Sequence, residues 1–352
     1  MSSLNIIHPG LMTTLQDLGR VGYQALGIPV SGALDPVAFQ LANQLVGNPE
    51  GEAALEILGM GPRFTVSGTA RVALVGGGNL MVNARPPIAA GASLTVGDGA
   101  EVTVTGALPG PAYLAIAGGF DVPIFLGSKS TYPRNGLGGF EGRALRPRDV
   151  LPLTLSAPPP GSERRLVQAW DYAETARVRV VLGPQDDYFT AEAIARFLSA
   201  RYVVTKDADR MGLRLDGPPL VHSRGFDIVS DGIVNGSIQV PGTGRPIILL
   251  ADHQSVGGYP KIATVVSADL PRLARALPGT ILGFAALSVA EAEAARRDFD
   301  ARLADHPSES WSGKLPGELD EVSLYGSNLI SGVVDGRDLL SQNLPLGVGE
   351  AG

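Results

Sequence analysis

Apolar and polar residues alternate in short runs along most of the first half of the chain, and this period of two predicts β-strands. Each run is bounded by Gly, Pro or Asp, and no long helical pattern separates one run from the next. Such spacing favours a closed or sandwiched antiparallel sheet. The clearest predicted strands are Ala54–Leu58, Arg63–Val66, Arg71–Val75, Ser93–Val96, Glu101–Thr105 and Ala112–Ile116.

Three segments show the spacing of three and four residues that predicts helices. The first follows Asp35, a good N-cap, with Pro36 at the first helical position and Gly47 after the end. The second covers the apolar positions of Ala191–Leu198. The third, about Val289–Leu303, is acidic early and basic late, which suits the helix dipole.

The second half repeats the layout of the first: strand, Gly-Pro turn, short amphipathic helix, strand, Gly-Pro turn and further strands. A tandem duplication of one barrel-like unit explains this order, although Gly-Pro turns also recur by chance in β-rich chains. Ala157–Gly161 contains three consecutive prolines, which cannot continue a sheet. We therefore predict two domains, residues 1–160 and residues 161–352.

Composition narrows the functional classes. With 46 Gly, 27 Pro and 44% hydrophobic residues, the 352-residue chain has material for a folded, turn-rich core. A net charge of −7 argues against general nucleic-acid binding. No apolar run reaches the roughly 18 residues of a membrane helix, and Met1–Pro9 does not resemble a secretory signal. With 0 Cys and four scattered His, we expect no metal site and a cytoplasmic location.

Three short motifs suggest known chemistry but lack its context. Gly76–Gly78 follows a strand, yet no helix follows it, so a dinucleotide site is not predicted. Gly127–Thr131 lacks the leading glycine and spacer of a phosphate loop. Asp252–Ser255 contains Asp, His and Ser, but neighbours on an extended strand face opposite ways, which argues against a triad and favours a pocket rim.

Two other segments have open interpretations. The acid–base cluster Asp207–Gly212 is either an ion pair that holds a turn or an anion-binding arginine. The glycine-rich segment Val256–Lys261 either brings backbone N–H groups and Lys261 to a developing oxyanion or is a turn with a solvated lysine.

A series of ordered motifs from about residue 5 to about residue 285 resembles one known family. This is the allophanate hydrolase subunit 2 family, also called the KipA-type or biotin-dependent carboxyltransferase family, which includes the C subunit of 5-oxoprolinase. The motifs that carry the resemblance are Thr13–Gly22, Pro29–Asp35, Leu41–Asn43, Gly127–Thr131, Asp209–Gly212, Gln239–Pro241 and Gly257–Ala263.

The resemblance implies a mainly β fold of two tandem cyclophilin-like β-barrel units with a few short helices. It also implies a KipI-type partner protein, with the active site near their interface. The activity we expect is that of an ATP-dependent 5-oxoprolinase, which opens the lactam of 5-oxoproline to glutamate with a third subunit; ATP is bound either by this chain or by a partner. The chain has no Met-Lys-Met biotinylation motif, so we expect no biotin attached to it.

Two alternatives remain. One is a carboxyltransferase subunit that acts on urea or a related amide with a separate biotin carrier. The other is a non-catalytic regulator that sequesters a KipI-type kinase inhibitor; the lack of a self-contained triad, metal site or nucleotide motif favours it.

The family motifs supply the candidate site residues. We assign charge stabilisation and catalysis to Lys261, Arg210 and His253. His253 stands where the family usually has Arg, and Ala208 stands where it usually has Ser. The change at position 253 replaces a permanent cation with a titratable one. The predicted substrate-binding or interface residues are Gly257, Gly258, Tyr259, Gln239, Gln16, Asp17 and Arg20.

Overall fold

The structure, a computed structural model, describes residues 2–172 and 177–312. Within these ranges it has 23 strands and four α-helices. The strands of the first half are β1 (Ser3–His8), β2 (Met12–Gln16), β3 (Ala54–Leu58), β4 (Arg63–Ser67), β5 (Ala70–Val75), β6 (Asn79–Val82), β7 (Ile88–Ala89), β8 (Ala92–Val96), β9 (Glu101–Thr105), β10 (Ala112–Ile116), β11 (Val150–Pro152) and β12 (Glu163–Leu166).

The remaining strands and the helices follow in chain order. The strands are β13 (Val178–Leu182), β14 (Tyr202–Asp209), β15 (Gly212–Asp216), β16 (Asp231–Gly232), β17 (Ser237–Gln239), β18 (Ile247–Leu249), β19 (Val256–Gly257), β20 (Lys261–Val265), β21 (Ile281–Leu282), β22 (Phe284–Ala286) and β23 (Ser308–Trp311). The helices are α1 (Pro36–Val46), α2 (Ala191–Ser199), α3 (Leu270–Ala274) and α4 (Val289–Ala304).

The predicted helices form, and local capping chemistry sets their ends. Asp35 caps α1 by accepting hydrogen bonds from the first-turn amides, and left-handed Gly47 ends the helix. The Thr190 side chain caps α2. Ser288 and Glu291 form a reciprocal capping box at the start of α4.

The first half folds as two sheets around one apolar core. One sheet has the order β11-β1-β4-β9-β6-β7, and the other begins β2-β3-β10-β5-β8. Alternate side chains from both sheets, such as Leu4, Leu55, Phe64 and Val102, are fully buried in the same cluster. The predicted alternation therefore reflects one face of each strand packed inward.

The second half forms an eight-stranded sheet that is nearly closed into a barrel. Its order is β21-β14-β15-β18-β17-β20-β13-β22. The two edge strands, β21 and β22, are separated in sequence by Gly283 alone. The chain must therefore bring both sheet edges together, which buries Phe197, Tyr202 and Phe284 inside. The prediction of a mainly β, barrel-based fold with a few short helices is confirmed.

The first sheet system continues beyond the proline-rich segment at 157–161. Strand β12 pairs with β8, and β23 pairs with β12 at the edge of the same sheet. Helix α1 packs against this sheet, together with residues of the second half such as Val266 and Phe299. All the described residues belong to one compact unit. The domain boundary at residue 160 stays a prediction.

In the part of the chain that the structure describes, no helix has both the length and the apolar character needed to cross a bilayer.

Candidate functional site

A buried ion network around Arg210 joins the two halves. The Arg210 guanidinium pairs with Glu56 of β3, 154 residues away, and with Asp252 through Nε at 2.7 Å and Nη2 at 3.0 Å. Its Nη2 also donates to the Gly32 carbonyl at 2.7 Å. Asp252 in turn accepts a hydrogen bond from the Ser31 hydroxyl at 2.6 Å. We call these five residues the junction cluster.

The junction cluster keeps Arg210 fully charged. Burial alone would lower the pKa of Arg210, but the Glu56 and Asp252 carboxylates outweigh it, so the pKa is raised above its usual value. Burial, with the nearby Glu56 charge, also raises the pKa of Tyr113, whose hydroxyl donates to Glu56 at 2.6 Å. Because its N–H groups already serve three partners, Arg210 fits the first of the two predicted interpretations, an ion pair that holds the local chain.

Hydrogen bonds extend from the junction cluster to the start of α1. The Asp35 amide donates to the Tyr113 hydroxyl at 2.9 Å. The Asp35 carboxylate accepts from the Tyr172 hydroxyl at 2.7 Å and from Arg275 Nη1 at 3.1 Å. One carboxylate therefore caps a helix and pairs with a cation from the second half.

The loop at 127–131 wraps around a single carboxylate. Asp17 accepts hydrogen bonds from the Ser128 hydroxyl at 2.8 Å, the Lys129 amide at 2.6 Å and the Ser130 hydroxyl. The donors that a phosphate would need are therefore used inside the chain. The family motif at this loop has a structural explanation in this protein.

Gln16 and Arg20 lie beside the same loop and are buried. Gln16 Nε2 donates to the Thr131 carbonyl at 3.1 Å, and Arg20 Nη2 donates to the Ser130 carbonyl. Burial lowers the pKa of Arg20 despite the opposing charge of Asp17. Within the described ranges, Arg20 Nε, Arg20 Nη1 and Gln16 Oε1 have no hydrogen-bond partner. Their side chains are interior polar groups, not exposed interface groups.

Lys261 is buried at the start of β20 and forms an ion pair. Its Nζ lies 2.6 Å from Asp231 Oδ2 and donates to the Gly232 carbonyl at 2.8 Å. The hydrogen bond from Lys261 holds the pKa of Asp231 below its usual range, and Gln185 adds a second hydrogen bond. The Lys261 side chain is 3% exposed, whereas the Asp231 side chain is 50% exposed. Solvent therefore reaches the pair from the aspartate side.

The predicted glycines build the ribbon that covers Lys261. Strand β19 pairs with β16, and the Gly258 carbonyl accepts from the Ile228 amide at 2.8 Å. A Cβ on Gly257 would lie 2.6 Å from both Gln239 Nε2 and Ile233 Cδ1. The absence of a side chain at Gly257 lets the ribbon approach these two side chains closely.

A cleft of about 800 Å³ runs along the outside of the second-half barrel. Strands β14 and β15 form one wall, and Arg134 from the first half also lines it. Arg214 projects outward, because its neighbours Leu213 and Leu215 fill the barrel core. We call this space the arginine cleft; its main polar lining residues are Arg134, Asp207, Asp209, Arg214, Gln239, Arg245, Gln254 and Tyr259.

Of the predicted site residues, the arginine cleft brings Gln239 and Tyr259 together. Gln239 is buried at the end of β17 and donates to the Tyr259 carbonyl at 3.4 Å. The other predicted residues do not line this cleft: Lys261, Arg210, His253, Gly257, Gly258, Gln16, Asp17 and Arg20.

His253 lies between the junction cluster and the arginine cleft. It closes the turn at 251–252 and lies outside any strand, so the expectation that Asp252 and His253 lie on an extended strand is wrong. Its Nδ1 lies 2.6 Å from the Gln254 carbonyl oxygen. Burial lowers the pKa of His253, although the Gln254 carbonyl and Asp252 oppose this. The residue before it belongs to the junction cluster, and the residue after it lines the cleft.

Comparison with known proteins identifies the family. The model of the carboxyltransferase domain, subdomain A and B, matches residues 26–286. The chain belongs to this family. The match covers strands of both halves and both regions described above, so the resemblance seen in the sequence motifs is confirmed.

Relatives of the family occur both as separate subunits and as parts of long chains. The chain is 37% identical over 306 residues to the C subunit of 5-oxoprolinase from Escherichia coli, covering 84% of this chain and 94% of the relative. It is 31% identical to urea amidolyase of Saccharomyces cerevisiae, covering 93% of this chain but 18% of the relative. The crystal structure of the K. lactis urea amidolyase matches with a TM-score of 0.77 and 30% identity, over 91% of this chain and 20% of that one.

Several residues of the site carried little sequence signal. Glu56 was visible as an acid inside an apolar strand, which is a sign of a buried pair. Arg134 lies in a short 3-10 helix, Pro133–Asn135, after a loop, and nothing in its neighbours predicted a cleft. Asp231 follows an exposed segment and becomes important only through its pairing with Lys261.

Proposed function

We propose that this chain is a subunit of an ATP-dependent 5-oxoprolinase and acts with a KipI-type partner. The observation that carries the proposal is the match to the C subunit of 5-oxoprolinase, which spans nearly the whole relative. Urea amidolyases match over 18% of their length, so their full reaction needs parts with no counterpart in the aligned region. A cytoplasmic location remains part of the proposal.

The arginine cleft supports this choice chemically. A lactam offers one carbonyl acceptor and one N–H donor, and the Gln239 amide can pair with both types of group. Tyr259 supplies an aromatic wall beside it. Reaction at the lactam carbon develops negative charge on oxygen, which fixed donors or cations stabilise.

ATP fits poorly at the candidate phosphate loop, residues 127–131. Lys129, the lysine of the candidate phosphate loop, pairs with Glu52 at 2.9 Å and donates to the Phe120 carbonyl. The loop hydroxyls serve Asp17. We therefore propose that ATP is bound by a partner in the complex and that this chain holds the lactam.

Capture of the tagged chain from its own cells, followed by mass spectrometry, tests the assembly. The proposal requires a KipI-type protein together with a third 5-oxoprolinase subunit. Recovery of a biotinylated carrier would instead assign carboxyl transfer. A KipI-type protein alone or with a kinase would assign regulation.

Lys261→Ala tests the predicted catalytic cation in the captured complex. Lys261 does not line the arginine cleft, so a catalytic role requires that the half-exposed Asp231 side of its ion pair face the substrate in the complex. We expect loss of most 5-oxoproline turnover with the complex still assembled; near-wild-type turnover would reject the role. Asp231→Asn is the matched control, because it removes the ion pair but keeps the amine. If both variants lose turnover equally, Lys261 acts by holding the ribbon and not as a catalytic cation.

A further inference from the structure

Two arginines of the arginine cleft have no counter-ion among the described residues. Arg134 comes from the first half, and Arg214 comes from the outward face of β15 in the second half. Both are exposed, and neither forms an ion pair with any residue that the structure describes. The third cleft arginine, Arg245, has a counter-ion, because its Nη1 lies 3.4 Å from Asp216 Oδ1.

The acids that line the cleft form no ion pair with these two arginines among the described residues. Asp209 lines the cleft, but its Oδ1 accepts hydrogen bonds from the Met211 amide at 2.8 Å and the Gly212 amide at 3.2 Å. Asp207 is exposed beside it. Three arginines and two aspartates line the cleft, so their formal charges sum to +1, which suits a ligand with one negative charge and disfavours a polyphosphate.

We propose that Arg134 and Arg214 form a subsite that binds the carboxylate of a small amide or lactam substrate. Arginine is suited to this task because its planar guanidinium can give a carboxylate two parallel hydrogen bonds. Gln239 lines the same cleft and would contact the amide end of the substrate. The inference rests on the proposed function and adds the group by which the substrate is selected.

The two arginines come from different halves of the molecule, and this gives the subsite a second property. The junction cluster fixes one half against the other, so it also sets the position of Arg134 relative to Arg214. A substrate carboxylate is then recognised only when both halves are correctly docked.

Calorimetric titration of the complex purified through this chain tests the subsite. The probes are 5-oxoproline, the neutral lactam 2-pyrrolidone and inorganic phosphate. Arg134→Gln and Arg214→Gln should each weaken 5-oxoproline binding by roughly ten- to a hundredfold. Binding of 2-pyrrolidone should stay the same in both variants, because it has no carboxylate.

Two further arginines serve as matched controls. Arg224 is exposed outside the cleft and pairs with Asp187 at 2.6 Å, so Arg224→Gln should leave 5-oxoproline binding unchanged. Arg245→Gln should weaken binding less than the other cleft variants, because Arg245 already has a partner.

The outcomes separate the subsite from the proposed function. Unchanged 5-oxoproline affinity or KM in both arginine variants, with turnover intact, would overturn the subsite and leave the function standing. Arginine-dependent binding of 5-oxoproline without any ATP-dependent turnover would support the subsite and overturn the function. Phosphate that binds more tightly than 5-oxoproline would overturn the carboxylate assignment, as would a complex that binds none of the three probes.

Discussion

The junction cluster and the arginine cleft use the same residue type in opposite ways. Arg210 in the junction cluster is buried and has two carboxylates and a carbonyl as partners. Arg214, four residues later, is exposed in the cleft without an ion-pair partner among the described residues. A cation whose hydrogen bonds are filled stabilises the fold, whereas one with open donors is available to a ligand. The β14–β15 hairpin contains both residues and therefore serves two purposes.

The largest expected effect comes from breaking the junction cluster. Glu56→Gln removes one charge beside Arg210 and leaves the guanidinium partly uncompensated in the interior. We expect a loss of about 3 kcal/mol in the free energy of unfolding, measured by urea denaturation.

The matched control is Glu101→Gln, which removes a partner of Arg63 at 3.9 Å on the surface. Its effect should be below about 1 kcal/mol. Equal effects for the two variants would show that the junction cluster contributes no more than a surface pair.

The cap of α1 should come next in size. Asp35→Ala removes the helix cap and also the partner of Arg275, so we expect about 2 kcal/mol of destabilisation in the same assay. Thr190→Ala removes a simple cap at α2 and should cost about 1 kcal/mol. Equal losses for the two variants would show that Asp35 acts as a simple helix cap and that its pairing with Arg275 adds nothing to stability.

His253, which lies between the junction cluster and the arginine cleft, should make the free energy of unfolding depend on pH. Burial holds the pKa of His253 below its usual value of 6.5. The unfolded chain then takes up a proton before the folded one does. The contribution of His253 to the free energy of unfolding is therefore fully present above pH 6.5 and is lost as the pH falls through that value.

Chemical denaturation at several pH values checks this sign. His253→Gln should lose less stability than the wild-type chain between about pH 7.5 and pH 5.5. A variant that follows the wild-type pH profile would show that other groups cause the dependence.

Gly257→Ala should change the cleft more than the fold. The added Cβ meets the ends of two side chains, Gln239 and Ile233, which can move aside. We expect a several-fold rise in the KM for 5-oxoproline with a small change in unfolding free energy. A change in the free energy of unfolding with an unaltered KM would show that Gln239 does not contact the substrate.

The smallest effect should come from an exposed pair on α4. Arg296 and Asp300 lie one turn apart, with 2.6 Å between Arg296 Nη2 and Asp300 Oδ1, and their side chains are 44% and 51% exposed. Arg296→Ala should change the unfolding free energy by less than about 0.5 kcal/mol. A larger loss would indicate that surface ion pairs stabilise this chain more than their exposure predicts, which would weaken the contrast with the junction cluster.

Local features of the fold were predictable from the sequence, and long-range ones were not. The Asp35 cap, the Gly47 stop and the strand at Glu101–Thr105 depend on neighbouring residues, and each forms as predicted. The pairing of Arg210 with Glu56 joins positions 154 residues apart, and no local pattern contains that information. Family motifs identified Arg210, Lys261 and Gln239, but they could not tell a filled ion pair from an open donor.

The most direct test of the central claim is glutamate formation from 5-oxoproline by the complex purified through this chain, measured with and without ATP. We predict ATP-dependent glutamate release that Arg214→Gln lowers at limiting 5-oxoproline and that high 5-oxoproline restores. Absence of ATP-dependent glutamate release from the assembled wild-type complex would contradict the account.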